Sequence, residues 1–69
     1  MIAMALDRVS FDDVVVTSDG GGVILKCRVG TKVVWVPPRR MLRGTTIARM
    51  GDRGRLVLRR EVALNLGLI

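Results

Sequence analysis

The chain has 69 residues, of which 49% are hydrophobic and 3% aromatic, and its formal net charge is +6. A chain of this length makes one small domain that buries only about 60% of its unfolded surface, so its stability is marginal. One cysteine and no histidine leave no internal disulfide and no Cys/His zinc site, so an aliphatic core must hold the fold, with homodimerisation as a second source of stability.

Residues 1–10 read as a loosely ordered lead-in and 11–69 as the domain. Ser10, Asp12 and Asp13 offer a turn, because short polar side chains bond their own backbone. Val14 to Thr17 is β-branched and predicts a strand. Ser-Asp-Gly-Gly-Gly at 18–22 predicts a hairpin turn, since Asp-Gly between apolar runs accepts positive φ. A phosphate-cradling glycine loop would need a following Lys-Ser/Thr and a helix, and the sequence offers neither.

Residues 23–29 alternate. Val23, Leu25, Cys27 and Val29 share one face of a strand, and Ile24, Lys26 and Arg28 share the other. Cys27 is thereby a small core residue, and no histidine exists to activate it as a nucleophile. Gly-Thr-Lys at 30–32 makes a second turn, and Val33 to Val36 a third strand that Pro37 and Pro38 stop. Trp35 reads as the largest piece of core, the alternative being a platform for a base or a peptide. Residues 39–44 are a helical turn or a loop, and 45–50 a short fourth strand. Gly-Asp-Arg-Gly at 51–54 is a turn. In 55–59, Leu56 and Leu58 face inward and Arg55, Val57 and Arg59 outward. Residues 60–67 switch to helical spacing through Val62, Ala63 and Leu66, with Gly67 just past the helix end. The expected fold is mainly β: a small bent antiparallel sheet or barrel, SH3-like or OB-like, of 4–5 short strands with a short C-terminal helix.

Catalysis needs a nucleophile, a base or a metal set. The carboxylates are Asp7, Asp12, Asp13, Asp19, Asp52 and Glu61. Asp12 and Asp13 would face opposite sides of a strand, and Asp19 and Asp52 precede glycines as turn formers. No catalytic residue, metal or cofactor is therefore expected. Apolar runs are broken by charge every few residues, so no membrane span is expected. The first six residues are too short for a signal peptide, and a lone cysteine suits a reducing cytoplasm.

The charge is unevenly placed. Residues 1–25 hold Arg8 against four aspartates, whereas 26–69 hold eleven Lys and Arg against Asp52 and Glu61. Ten of the twelve basic residues are Arg, the better fork for phosphate or carboxylate. Lys26, Arg28, Arg39, Arg40, Arg43, Arg55 and Arg59 are the candidate contacts to an anionic partner. The alternative is a solvated basic face. Single-strand binders stack bases on aromatics, and only Phe11 and Trp35 are available; with no long recognition helix either, nucleic acid would be met through backbone or shape.

Val-Val-Trp-Val-Pro-Pro-Arg-Arg-Met and the segment 51–69 together resemble a family of small, mostly uncharacterised phage and prophage proteins. Its members carry a Trp-Ile-Pro-Lys-Ser-type motif, then a Gly-Asp-x-Gly turn, a short strand and a terminal helix ending in Gly-Leu. Trp35, Val36 and Pro37 match the first motif, Gly51, Asp52 and Gly54 the turn, and Ala63, Gly67 and Leu68 the ending. The sequence departs at Pro38, where Lys is usual, and in the helix, which lacks the family's Trp and acidic residues. The resemblance implies a phage context and a small β fold. The segment 54–68 is also similar to a stretch of AbrB/MazE-type swapped-hairpin domains, through Gly54, Arg55, Leu58, Glu61, Val62, Leu66 and Gly67, with Arg59 in place of a proline. That likeness implies a dimer binding DNA through arginines. The reading is a non-enzymatic basic protein that binds nucleic acid, DNA foremost, in a host cytoplasm. The alternatives are an interaction module or inhibitor docking on an acidic host protein, and a small structural subunit of a larger assembly.

Overall fold

A computed structural model describes residues 7–69. Four strands, β1 (Arg8–Ser18), β2 (Leu25–Val29), β3 (Lys32–Val36) and β4 (Arg53–Arg59), are followed by one helix, α1 (Arg60–Asn65). All pairings are antiparallel and the strand order is β3-β2-β1-β4. The fold is thus mainly β with a short C-terminal helix. Of the two forms expected, sheet or barrel, it is the open one, with β3 and β4 as edges.

The first strand is longer than Val14–Thr17. It begins at Arg8, so the end of the expected lead-in is strand, while residues 1–6 lie outside those described. The expected turn at Ser10 to Asp13 is instead a bulge within β1. Phe11 pairs with Leu56 and Val14 with Gly54, so β1 spends one residue more than β4 across this interval. The cause is parity. Val9 and Phe11 pack on the core, and so do Val14 and Val16, yet the two pairs have opposite parity. A strand of strict period two cannot bury both, and one inserted residue resets the alternation. Asp13 takes the left-handed conformation (φ 57) that the insertion requires, which Asp tolerates better than most residues. A second irregularity between Val16 and Ser18 adds to the bend of the strand.

The glycine turn closes the β1–β2 hairpin as expected. Gly20, Gly21 and Gly22 all have positive φ, and Asp19 accepts the Gly21 N–H at 3.1 Å. Leu25 and Cys27 are buried as their alternation predicts, but Val23 falls before β2 and is exposed. On β3 the buried residues are Val34 and Val36, so Trp35 lies on the opposite face and is 44% exposed. It is not a core residue. The register decides this: Trp35 pairs with Lys26, and Leu25, the buried neighbour of Lys26, pairs with Val36.

After β3, Pro38–Arg40 form a single 3-10 turn. The expected strand at 45–50 does not form. The segment from Met41 to Ile47 instead seals the free edge of β4. Met41 bridges Leu58, and the Leu42 and Thr46 N–H groups donate to the carbonyls of Val57 and Arg55. In return the Val57 and Arg55 N–H groups donate to the hydroxyls of Thr45 and Thr46 at 2.9 and 2.8 Å. Two threonine hydroxyls thus stand where a strand would present carbonyls, and no regular ladder results. Ile47 from this segment enters the core, and Val57, although outward by parity, is 7% exposed because Gly44 lies over it.

The helix packs on β4 and β1 through Ala63, with Val62 and Leu66 flanking it. At its start no side chain caps the backbone; the Arg60 N–H donates to the Asp7 carbonyl instead. At its end Leu68 N–H bonds the Ala63 carbonyl and Gly67 N–H the Leu64 carbonyl. That paired closure is the Schellman motif, and it needs the positive φ that Gly67 supplies (78°). The Lys32 ammonium also donates to the Gly67 carbonyl, tying the β2–β3 end of the sheet to the helix terminus.

Candidate nucleic-acid interface

The sheet has one covered face and one open face. Leu25, Cys27, Val34, Val36, Leu56 and Leu58 point into the core, so their neighbours point out. On β2 these are Lys26 and Arg28, on β3 Val33 and Trp35, and on β4 Arg53, Arg55 and Arg59. The pairing then sets them side by side. Val33, Arg28, Val15 and Arg53 form one row across all four strands. Lys26 and Trp35 form a second, and Arg8 stands beside Arg59 in a third.

Four of the seven candidates, Lys26, Arg28, Arg55 and Arg59, thus share the open face. Arg39, Arg40 and Arg43 are exposed residues of the connection that leaves β3, not of a strand. Pro38, Met41 and Arg43 of that connection line an open apolar groove with Leu25 and Ile47, whereas its Leu42 lines a groove with Arg8 and Arg59 and its Gly44 lies over the outward Val57, so the connection wraps the edge of β4. Arg40 does approach Arg59 along the chain direction, because Met41 bridges Leu58, the residue before Arg59. Two cations outside the seven candidates belong to the open face: Arg53 and Arg8. Arg53 shares its parity with Arg55 and Arg59, a local signal, whereas Arg8 is placed by the pairing of β1 with β4, which no local pattern carries.

Not all of these charges are free. Arg55 Nε lies 3.2 Å from Asp12 and Arg53 Nε 3.7 Å from Asp13. Both pairs are well exposed and so contribute about 0–1 kcal/mol each. The bulge brings the two adjacent aspartates to the same neighbouring strand, where they moderate the charge of its first half. Among the described residues these are the ion pairs, and Lys26, Arg28, Arg8 and Arg59 have none.

Lys26 has a different neighbour. Its ammonium sits 5.7 Å from the centroid of the Trp35 ring, within reach of a cation–π contact. At the far end of the sheet, Arg8, Arg59, Arg60, Leu42 and Leu64 line an open groove of about 590 Å³ with Asp7 and Glu61. Cys27 is fully buried, and burial pushes its thiol pKa up, which suits packing. Asp52 accepts the N–H groups of Arg49 and Ala48 at 2.9 and 2.7 Å, and these bonds hold its carboxyl below the ordinary aspartate value. It closes the turn before β4. No helix among the described residues is long and apolar enough to cross a membrane.

Compared with protein-family models, curated proteins and solved structures, the chain matches none of them.

Proposed function

We propose that this is a non-enzymatic nucleic-acid-binding protein of phage or prophage type, acting in the host cytoplasm, and that the open face of its sheet is the contact surface. One observation carries the reading. Period-two alternation on three strands collects Arg8, Lys26, Arg28, Arg53, Arg55 and Arg59 on one face, where Asp12 and Asp13 pair with Arg55 and Arg53 and Asp7 and Glu61 lie in the groove beside Arg8 and Arg59. A rigid sheet presenting cations in rows matches a repeating phosphate backbone. Contacts of this kind are mostly to charge and are weakened by salt.

The test is a titration of the protein against random duplex and single-stranded DNA at two salt concentrations. If the four unpaired cations each meet a phosphate, log K falls against log salt with a slope of about −3 to −4. The variant Lys26→Ala/Arg28→Ala weakens binding and flattens that slope, whereas Arg49→Ala, in the turn before β4, does not. No binding at low salt sinks the reading.

An interaction module docking on an acidic host protein is the second reading. The exposed Val33 and Trp35 on edge strand β3 favour it, since apolar side chains ringed by cations also suit a protein surface. Capture of a host protein from nuclease-treated lysate, lost with Val33→Asp, would support it over the first.

A further inference from the structure

Trp35 is the unexpected feature of the open face. A small domain short of aromatic bulk leaves its one tryptophan 44% exposed, and Val33, on the same face of the same strand, 51% exposed. Burying such a ring stabilises a fold, so its exposure beside cations asks for a ligand. We infer that Trp35 is a stacking platform for an unpaired nucleobase, and that the nucleic acid this face takes is single-stranded. The inference rests on the nucleic-acid reading above and specifies its substrate class.

Three features of the site support this. The ring is braced. Gly20 of the hairpin turn comes so close that a Cβ on it would lie 3.3 Å from Trp35 Cζ3 and 2.9 Å from Ile24 Cγ2. The absence of a side chain at position 20 lets the turn close against the ring edge. Lys26 on β2 lies on the side of Trp35 toward the sheet. On the other side β3 is the edge strand, and no further strand among the described residues flanks Trp35 there, which leaves the ring 44% exposed. The charges are placed for the same ligand. Lys26 and Arg28, two residues apart on β2, lie opposite Trp35 and Val33 in the register. A base on the ring therefore has cations within one strand spacing for its phosphates. Stacking on aromatics flanked by a basic groove is how single strands are held without sequence readout. A duplex keeps its bases stacked on each other and offers no ring to Trp35.

Because Trp35 is the only tryptophan, its fluorescence reports this site alone. The protein is titrated with a short oligothymidylate, a blunt duplex of the same length, and polyglutamate. The expected result is quenching by the single strand, and a loss of single-strand affinity of about ten- to hundredfold in Trp35→Ala with duplex affinity unchanged, the affinities being read from the anisotropy of a labelled oligonucleotide because the variant lacks the fluorophore. Trp35→Phe retains most of the affinity, and matching thermal melts of both variants show that the loss is not misfolding. If the oligothymidylate binds while Trp35 fluorescence and the Trp35→Ala affinity stay unchanged, the stacking site is wrong and the basic face stands. Tighter binding of duplex than single strand, or equal quenching by polyglutamate, also overturns it. If neither nucleic acid binds, both readings fall together.

Discussion

Arg8 stands directly opposite Arg59 in the antiparallel pairing of the first and last strands. Like charges so placed destabilise a sheet by about 0.2–1 kcal/mol. Neither has an ion-pair partner among the described residues, and residues 1–6 contain no acidic side chain that would supply one. Arg60 follows at once and lines the same groove. Asp7 and Glu61 line that groove too, with no ion pair to Arg8 or Arg59 among the described residues, so the repulsion of the facing arginines is one that a single substitution would remove.

Arg8→Glu should therefore act in opposite directions on stability and binding. It replaces a repulsive pair by an attractive one, so the melting temperature at low salt rises, by about 4–8 °C for each kcal/mol gained. The gain shrinks at high salt as screening removes both interactions. In the same protein, affinity for polyanions falls. A variant that melts lower than the parent at low salt contradicts the repulsive account of this pair.

The bulge at Asp13 makes a second prediction. Asp13→Asn keeps a residue that tolerates the left-handed conformation, and Asp13→Gly suits it better still, so both stay close to the parent in stability. Asp13→Val forces a β-branched side chain to φ 57 and costs about 1–2 kcal/mol. Deleting Asp13 should be tolerated better than Asp13→Val. With one residue fewer, Val9, Phe11, Val14 and Val16 fall on one parity, so β1 alternates strictly and all four still face the core, opposite Leu58, Leu56 and Gly54. What is lost is the local bend and the exposed ion pair of Asp13 with Arg53. Chemical denaturation of the four variants should find Asp13→Val the least stable, and an unfolded deletion would mean that the bend itself is needed to close the core.

That bulge also shows what the sequence makes legible. The helix and its end were readable because Val62, Ala63, Leu66 and Gly67 are a local pattern, and the glycine turn because Asp19 and Gly20 to Gly22 specify their own backbone. The alternation of 23–29 was readable because Lys26 and Arg28 mark the outer face. Val33 to Val36 carries no polar residue to mark a side, so nothing local tells which way Trp35 points; pairing with Lys26 does. The parity change between Phe11 and Val14 is written in the sequence, but Ser10, Asp12 and Asp13 resemble a turn more than an interrupted strand. The threonines of 45–46 suggest a strand, and they satisfy β4 with hydroxyls instead. The candidate site was half legible for the same reason. Residues on one strand could be grouped by period two, whereas the meeting of Arg8 with Arg59 depends on which strands pair.

Asp52 sets an acid dependence whose sign is fixed. Its carboxyl is held below the ordinary value by the Arg49 and Ala48 N–H groups. A group with a depressed folded-state pKa stabilises the fold above its unfolded value, about 3.9 for aspartate, and that contribution is lost as pH falls through the folded value. Asp52→Asn should thus be less stable than the parent at neutral pH. Its deficit in melting temperature should narrow as pH drops from about 4 toward 2. A deficit constant across that window would mean that the carboxylate charge is not what closes the turn.

The seal on β4 is the last relationship open to direct test. Thr46 Oγ1 accepts the Arg55 N–H at 2.8 Å, and a Cβ on Gly54 would overlap that same hydroxyl. Gly54 does not have positive φ, so a substitution there meets only this steric conflict. Gly54→Ala should cost about 1–3 kcal/mol, the usual penalty for overpacking. Thr46→Ala should cost about 1 kcal/mol for the lost bond and speed hydrogen exchange at the Arg55 amide, leaving the Val57 amide, held by Thr45, protected. The double variant removes the clash together with its partner, so it should be less destabilised than the sum of the two single changes. Strict additivity would mean that Gly54 and Thr46 are not in contact. Exposure of both amides in Thr46→Ala would mean that the seal opens as a unit, leaving β4 with a free edge for pairing with another chain.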